Sequence, residues 1–345
     1  MKTFVHVGAG GWGRHWLRRV IPANREFAQC VAVVDVNEQA LENAVEFLGL
    51  PREKCYTDLD TALRENPVDF ITIASSIASH AQVVDVALRH GVQILSEKPI
   101  AGTMAECAEI YRKVKAAGTK FAVTLSHRYE NDKQTLQDYL RRGDAGKINY
   151  LIARIAIARM KWRVPAISPE MLFIDGGVHN LDMIRAFSGA NAEEVYARAW
   201  SFEPGDDRGG GSTAFAYAQM ENGVMASLEY GFGGAYSHNG WGREYFRAEC
   251  VNACVELDNQ KLVAKSHEGY PIPEYAEIPL LEGDCWEHDL IMRQFLGWMD
   301  GGAAPDVTID DSIHAMGMLF AVVESHRTGK PVRVKPFMEA HGLQL

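Results

Sequence analysis

An apolar run, Phe4-Val5-His6-Val7, leads directly into Gly8-Ala9-Gly10-Gly11-Trp12-Gly13. No other segment constrains the fold as tightly as this G-x-G-x-x-G spacing between a strand and a helix. Gly8 permits a tight turn, Gly10 lets the backbone approach a pyrophosphate, and Gly13 lets helix and strand pack closely. Phosphates then meet free N–H groups at a helix N-terminus. Strand patterns at 3–7, 30–35, 69–74, 92–95 and 120–125 alternate with helix patterns at 13–21, 38–48, 59–65, 79–90 and 104–117. That alternation predicts a doubly wound parallel sheet with right-handed crossovers. Asn37, just before Glu38-Gln39-Ala40-Leu41, is the expected N-cap of the second helix.

Beyond about residue 125 the pattern changes. A helix is expected over 131–142, then strands over 148–159, 194–201, 214–220, 224–230, 245–248, 253–257 and 261–264. Glu221-Asn222-Gly223 and Asp258-Asn259-Gln260 are hairpin turns between them. Consecutive strands with short turns predict an open, mostly antiparallel sheet. Helices near 177–188, 285–299 and 309–327 would cover one of its faces. The expected division is an α/β domain over 1–122 and an α+β domain over 123–345, the latter for substrate binding and oligomerisation. Residues 205–212 are glycine-rich and polar, as a mobile loop would be.

With 345 residues, 47% of them apolar, the chain can bury two cores. Its net charge of −10 argues against nucleic acid and anionic membrane surfaces as partners. No apolar run reaches the roughly 18 residues of a membrane span. The first strand begins by Thr3, leaving no room for a signal peptide, so the cytoplasm is the expected compartment. The six cysteines have neither disulfide nor zinc spacing, and no metal is expected.

Three further elements carry chemistry. Asp35 ends the second strand where a carboxylate would accept hydrogen bonds from the adenosine ribose and repel a 2′-phosphate. No arginine follows directly, so NAD is favoured over NADP; a solvated turn aspartate is the plain alternative. Lys98, in Ser96-Glu97-Lys98-Pro99, follows another apolar strand. Ligands of open α/β sheets sit at the carboxyl ends of strands, where a lysine can hydrogen-bond a reacting hydroxyl and lower its pKa. A surface lysine before a helix-starting proline is the alternative. In Asp175-Gly176-Gly177-Val178-His179-Asn180-Leu181-Asp182, positions 175, 179 and 182 would share one helix face. His179 is then a candidate acid–base group with a carboxylate beside it. Alternatively, Asp175 is an N-cap and His179 a core histidine.

Together these elements resemble the glucose–fructose oxidoreductase, inositol dehydrogenase and MocA family over most of the chain. In family order run the glycine turn, Glu97-Lys98-Pro99, Ser126-His127-Arg128-Tyr129, Asp175-x-x-x-His179-x-x-Asp182 and Ser325-His326-Arg327-Thr328-Gly329-Lys330-Pro331-Val332. His80 matches a histidine that members carry at the start of the helix after strand four. Where members usually have Thr-Pro, this chain has Ser75-Ser76, which alters the loop on the nicotinamide side. The resemblance implies a Rossmann domain and NAD(P)-dependent oxidation of a hydroxyl on a sugar or cyclic polyol. It implies that Lys98 binds the reacting oxygen, His179 takes its proton, and Asp175 orients substrate or His179. Glu97 would contact the nicotinamide ribose and Arg128 would line the same cleft. Gly8, Gly10, Gly11, Trp12, Gly13, Asp35, Ser75, Ser76 and His80 complete the expected cofactor site. A cis Lys98–Pro99 bond is also implied.

Lys161, Trp162 and Arg163 follow strand 148–159 and are candidates for sugar contacts, or equally a solvated basic turn. Tyr236, His238 and Trp241 lie in a glycine-containing stretch and carry no assignment. A redox-neutral enzyme that retains its NAD, such as an epimerase or glycoside-cleaving enzyme, is the alternative activity. A nucleotide-binding regulator is a third reading, against which Lys98, Asp175 and His179 argue. The sheet face left without helices, expected to carry Ala, Tyr, Phe and Met at alternating places as in Phe215-Ala216-Tyr217-Ala218-Gln219-Met220, predicts a homodimer or homotetramer.

Overall fold

The computed structural model describes residues 1–158, 169–201, 212–234, 239–266 and 274–345. They form two compact units, Met1–Ser126 with Cys285–Ile313, and His127–Asp284 with His314–Leu345.

The first unit is built on six strands: β1 Lys2–Val7, β2 Ala28–Val34, β3 Cys55–Tyr56, β4 Phe70–Ile73, β5 Gln93–Ser96 and β6 Phe121–Val123. They lie in the order β3-β2-β1-β4-β5-β6, with every pair parallel. This is the doubly wound parallel sheet that the alternating pattern predicts. Strand β3 has no counterpart in the sequence reading, because two residues are too few to show a period. Phe4 and Phe70 stack at 4.7 Å across neighbouring strands in the core. Asn37 caps the helix Glu38–Leu48 by accepting from the Gln39 N–H at 3.0 Å.

The helix expected over 285–299 forms as Glu287–Met299, but it belongs to this first unit and not to the antiparallel sheet. Its apolar stripe, Ile291, Met292 and Phe295, is fully buried, and Phe295 meets Phe70 edge-on at 5.6 Å. The Asn24 amide donates to Asp289 at 2.9 Å. Periodicity reveals a buried face, but not which core will receive it.

The second unit is built on nine strands: β7 Ile148–Ala158, β8 Ala192–Ser201, β9 Ser212–Met220, β10 Met225–Gly234, β11 Tyr245–Cys250, β12 Cys254–Asp258, β13 Lys261–Ser266, β14 Glu274–Ile278 and β15 Val332–Arg333. Their order is β14-β13-β12-β11-β7-β10-β9-β8-β15. Only β7 and β10 pair in parallel, so the sheet is mixed but mostly antiparallel. Both hairpins form where expected; Asn259 and Gln260 take φ of 51° and 65°, as a tight β12–β13 turn requires.

Strand alternation decides the two faces of this sheet. Ala214, Ala216, Ala218 and Met220 of β9 are buried, as are Leu151, Ala153 and Ile155 of β7. The helix Val178–Ser188 has every residue buried. The opposite face keeps Tyr196, Trp200, Tyr217 and Met225 exposed, with Trp200 stacked on Phe215 at 5.7 Å. The alanines and Met220, which the sequence reading placed on the open face, are therefore core residues. The open face belongs to their aromatic neighbours. Among the described residues, no helix is long and apolar enough to cross a membrane.

Candidate active site

Three adjacent strands of the first unit end in register, with Val7 opposite Ile73 and Ile73 opposite Ser96. One residue further on, each strand leads into a predicted site segment: Gly8, then Ala74-Ser75, then Glu97-Lys98. The glycine spacing has a measurable cause here. Gly8 has φ of +106°, and a Cβ there would lie 2.6 Å from the backbone of Ala74 and Ser75. At Gly13 a Cβ would lie 2.1 Å from the Gly8 carbonyl oxygen. Gly10 differs, since its Cβ direction is open to 3.9 Å. That opening is what close approach of a pyrophosphate demands.

A cavity of about 520 Å³ adjoins this edge, lined among others by Gly10, Gly11, Trp12, Asp35, Ser75 and Ser76. Asp35 is half-buried. Its carboxylate accepts from the N–H groups of Ala9 at 2.7 Å, Gly10 at 3.3 Å and Asn37 at 2.8 Å. The same acid that would meet a ribose thus braces the glycine turn. The open Gly10, the cavity and Asp35 fit a dinucleotide.

Glu97 and Lys98 follow β5, and the Lys98–Pro99 bond is cis. Glu97 is buried and accepts from Trp12 Nε1 at 2.9 Å, Trp16 Nε1 at 2.8 Å and His288 Nε2 at 3.0 Å. Burial opposes its charge, yet the His288 hydrogen bond and charge, Lys98 and the Trp16 indole hold its pKa down at about 2. Burial likewise opposes charge on His288, but Glu97 raises its pKa above the ordinary value. The pair is therefore ionic. The resemblance assigned Glu97 a ribose contact; within this unit its Oε1 is already engaged by two indoles and an imidazole. Trp12 keeps half its surface exposed, stacking on His15 at 4.4 Å.

His80 is buried, with Nδ1 3.1 Å from the Pro99 carbonyl and Nε2 3.2 Å from that of Ser75. Desolvation lowers its pKa. A neutral ring donates through one nitrogen only, so His80 hydrogen-bonds one of these carbonyls and merely packs its other nitrogen against the second. Ser75 and Ser76 are also tied locally: the Ser75 and Ser79 hydroxyls lie 2.8 Å apart, and Ser79 donates to the Ser76 carbonyl at 2.7 Å.

The second unit carries the other candidates. Asp175 does not cap a helix: the chain is already helical from Pro169, and Leu172–Gly177 forms a wide π turn that runs into the helix Val178–Ser188. Gly176 and Gly177 serve close packing here. A Cβ on Gly176 would lie 2.0 Å from the Tyr230 hydroxyl and 2.8 Å from the Trp241 ring. His179 is buried; its ring lies face to face with that of His127 at 4.1 Å and 13°. Trp241 stands edge-on to both, at 5.8 Å and 6.2 Å.

Arg128, expected to line a cleft, is buried and binds Asp182 with two hydrogen bonds, at 2.6 and 2.5 Å. Arg185 adds a third at 3.0 Å. Asp182, on the helix of His179, is thus held by two guanidinium groups. The Ser325–Val332 motif is structural: Ser325 Oγ accepts from Ala197 N–H at 3.0 Å and donates to the Lys330 carbonyl at 2.6 Å. His326 Nδ1 accepts from Ala199 N–H at 3.1 Å. These bonds pin a helix end to β8. Lys161, Trp162, Arg163, Tyr236 and His238 lie outside the described residues.

Sequence reasoning missed Trp16, His288, Glu130, Lys133 and Glu244, and named His127 and Trp241 without assigning them a role. Lys133 is fully buried, with Nζ 2.5 Å from Glu130, 2.8 Å from Glu244 and 3.4 Å from Asp132. The only local signal was the crowding of Glu130, Asp132 and Lys133 at a helix start. Glu244 arrives from more than a hundred residues away.

Comparison with known proteins accords with this geometry. Residues 2–125 match the family model described as "Oxidoreductase family, NAD-binding Rossmann fold", and residues 134–249 match the "GFO/IDH/MocA C-terminal domain". An uncharacterized protein, y4oX of Sinorhizobium fredii, is 31% identical over 98% of this chain and 97% of its own. The scyllo-inositol 2-dehydrogenase (NAD(+)) of Bacillus subtilis is 25% identical over 89% of each chain. An Agrobacterium radiobacter oxidoreductase, solved with NAD+, L-tartaric acid and magnesium, shares the fold with a TM-score of 0.83. It is 16% identical over 96% of this chain and 98% of that one.

Proposed function

Because the chain belongs to the Gfo/Idh/MocA family of NAD-binding oxidoreductases, we propose that it oxidises a hydroxyl of a sugar, sugar derivative or inositol-like polyol. The observation that carries this reading is the edge of the parallel sheet. There the open Gly10 turn, Asp35 and Lys98 follow strands that end in register. Bound NAD supplies the hydride acceptor. Lys98 donates a hydrogen bond to the reacting oxygen and stabilises the negative charge it gains. The charged Glu97–His288 pair fixes the backbone from which Lys98 extends. His179 takes the hydroxyl proton, and Asp175 orients the substrate or His179. Asp35 favours NAD over NADP, since a carboxylate there repels a 2′-phosphate.

Functionally, residues 1–122 hold the cofactor, while 123–345 supply substrate binding and self-association. The exposed aromatic face of the second sheet supports a homodimer or homotetramer, because an apolar patch of this kind on a monomer usually marks an interface. The inositol dehydrogenases among the relatives support the substrate class. The test is a panel of inositols, aldoses, sugar acids and glycosides with NAD, followed by reduced-nicotinamide absorbance. Turnover of an inositol or aldose is expected. Conversion of a substrate without net NADH would replace this reading with a redox-neutral one.

A further inference from the structure

His127 has no part in the chemistry above, yet its ring is the one laid flat against His179. At 4.1 Å and 13° the two rings present faces to each other, so neither donates an in-plane hydrogen bond to the other. What passes between them is packing and charge. The charge comes from behind His127. Its Nε2 lies 3.5 Å from Glu130 and its Nδ1 3.7 Å from Glu244. These two carboxylates, with Asp132, surround the ammonium of Lys133, which is fully buried. Three buried acids face one lysine, so the set carries surplus negative charge that must be met by protons. Burial, with Glu244 and Asp132 as neighbours, pushes the Glu130 carboxyl up to about 8, so it retains one proton near neutrality. His127 is the imidazole placed between Glu130 and Glu244. On the helix of His179, Asp182 is held by two guanidinium groups, those of Arg128 and Arg185. Trp241 closes the edge of both rings and carries no charge.

We propose that His127 is a positioning residue for His179: held cationic between Glu130 and Glu244, it fixes the plane of the His179 ring and disfavours a second positive charge on it. His179 then stays neutral, ready to accept a proton, at pH values where an isolated histidine would be partly protonated. This rests on His179 being the base. It assigns the Glu130–Lys133–Glu244 set to tuning that base, and it places His127 among the residues that decide activity without touching substrate.

Nitrogen-15 histidine NMR titration of the full chain, with NAD present, tests it directly. In the wild type the His127 midpoint is expected to lie above that of His179. In His127→Phe, which keeps a flat ring and removes the charge, the uncompensated acids should raise the His179 midpoint by about one pH unit or more. If the Phe variant does not fold, His127→Gln carries the same test. A His179 midpoint that does not move, or one above that of His127 in the wild type, overturns the proposal. His179→Ala separates the two levels. If it still turns over the substrate found in the panel, the base assignment falls and the role of His127 with it, whatever the titrations show. If it is inactive while the midpoint stays fixed, only the His127 inference falls.

Discussion

In the first unit buried charge comes as a balanced pair, Glu97 against His288, with the Trp12 and Trp16 indoles and Lys98 adding to the carboxylate's partners. In the second unit it comes as an unequal set, Lys133 among Glu130, Asp132 and Glu244, with His127 at its margin. The pair holds rigid the loop that bears Lys98, and its charges are settled by each other. The set cannot settle its charge internally, so its protonation is coupled to whatever lies beside it, and what lies beside it is the ring stack of His179. A buried ion pair can serve as a brace, whereas a buried surplus serves as a bias.

The largest expected effect concerns the two residues proposed for the chemical step, one in each unit. His179→Ala and Lys98→Ala should each lower kcat by roughly a hundred- to ten-thousand-fold, the usual range for losing a general acid or base. NAD affinity, measured by fluorescence titration, should change little. If either variant keeps near wild-type turnover, that residue is not part of the reaction.

Next come the buried ions themselves. Lys133→Met should destabilise by about 3–5 kcal/mol, because it removes the buried ammonium that three acids share. His288→Gln should cost less, since Glu97 keeps two indole donors and an amide can replace one hydrogen bond. Urea unfolding of both variants would break the comparison if the order is reversed.

The pH dependence should carry opposite signs in the two units. Burial holds His6 neutral, with a pKa lowered to about 4. Stability from this group is intact above its ordinary value of 6.5 and is lost as pH falls from 6.5 towards 4. Glu97 acts the same way lower down, losing its contribution as pH falls from 4.5 towards 2. Glu130, raised to about 8, does the reverse: the fold favours its protonated form, so stability is lost as pH rises from 4.5 to 8. Each pH unit in such a window corresponds to about 1.4 kcal/mol per buried group. Glu130→Gln should therefore gain on the wild type as pH rises through that window, and equal stability curves would remove Glu130 from the surplus.

A smaller effect separates the cofactors. The kcat/KM with NAD should exceed that with NADP, and Asp35→Ser should narrow the gap. Equal efficiencies in the wild type would show that Asp35 serves only the glycine turn. Last, Trp200→Glu on the open sheet face should lower the assembly state seen by sedimentation without lowering NAD affinity.

Much of the first unit could be read locally. The glycine turn, the Asn37 cap and five of six strands follow from periodicity and from what a Cβ would strike. The hairpins and the alternation of the second sheet follow from period two, although the sequence reading put the alanines of β9 on the open face and the structure buries them. Contacts between distant segments were not legible in the same way. His288 reaches Glu97 across 191 positions, and Glu244 reaches Lys133 across more than a hundred. Neither has a spacing to betray it. The helix Glu287–Met299 shows the same limit, since its stripe fits either core.

The sequence by itself determined the parallel sheet, the glycine turn, the acidic end of β2 and the residues able to do acid–base work, because each depends on neighbours within a few turns of chain. Only the tertiary structure decided which ions are buried together, that Arg128 holds Asp182, and that His127 lies on His179. Those outcomes depend on desolvation and close packing between elements far apart in the chain, and neither quantity exists until the chain has folded.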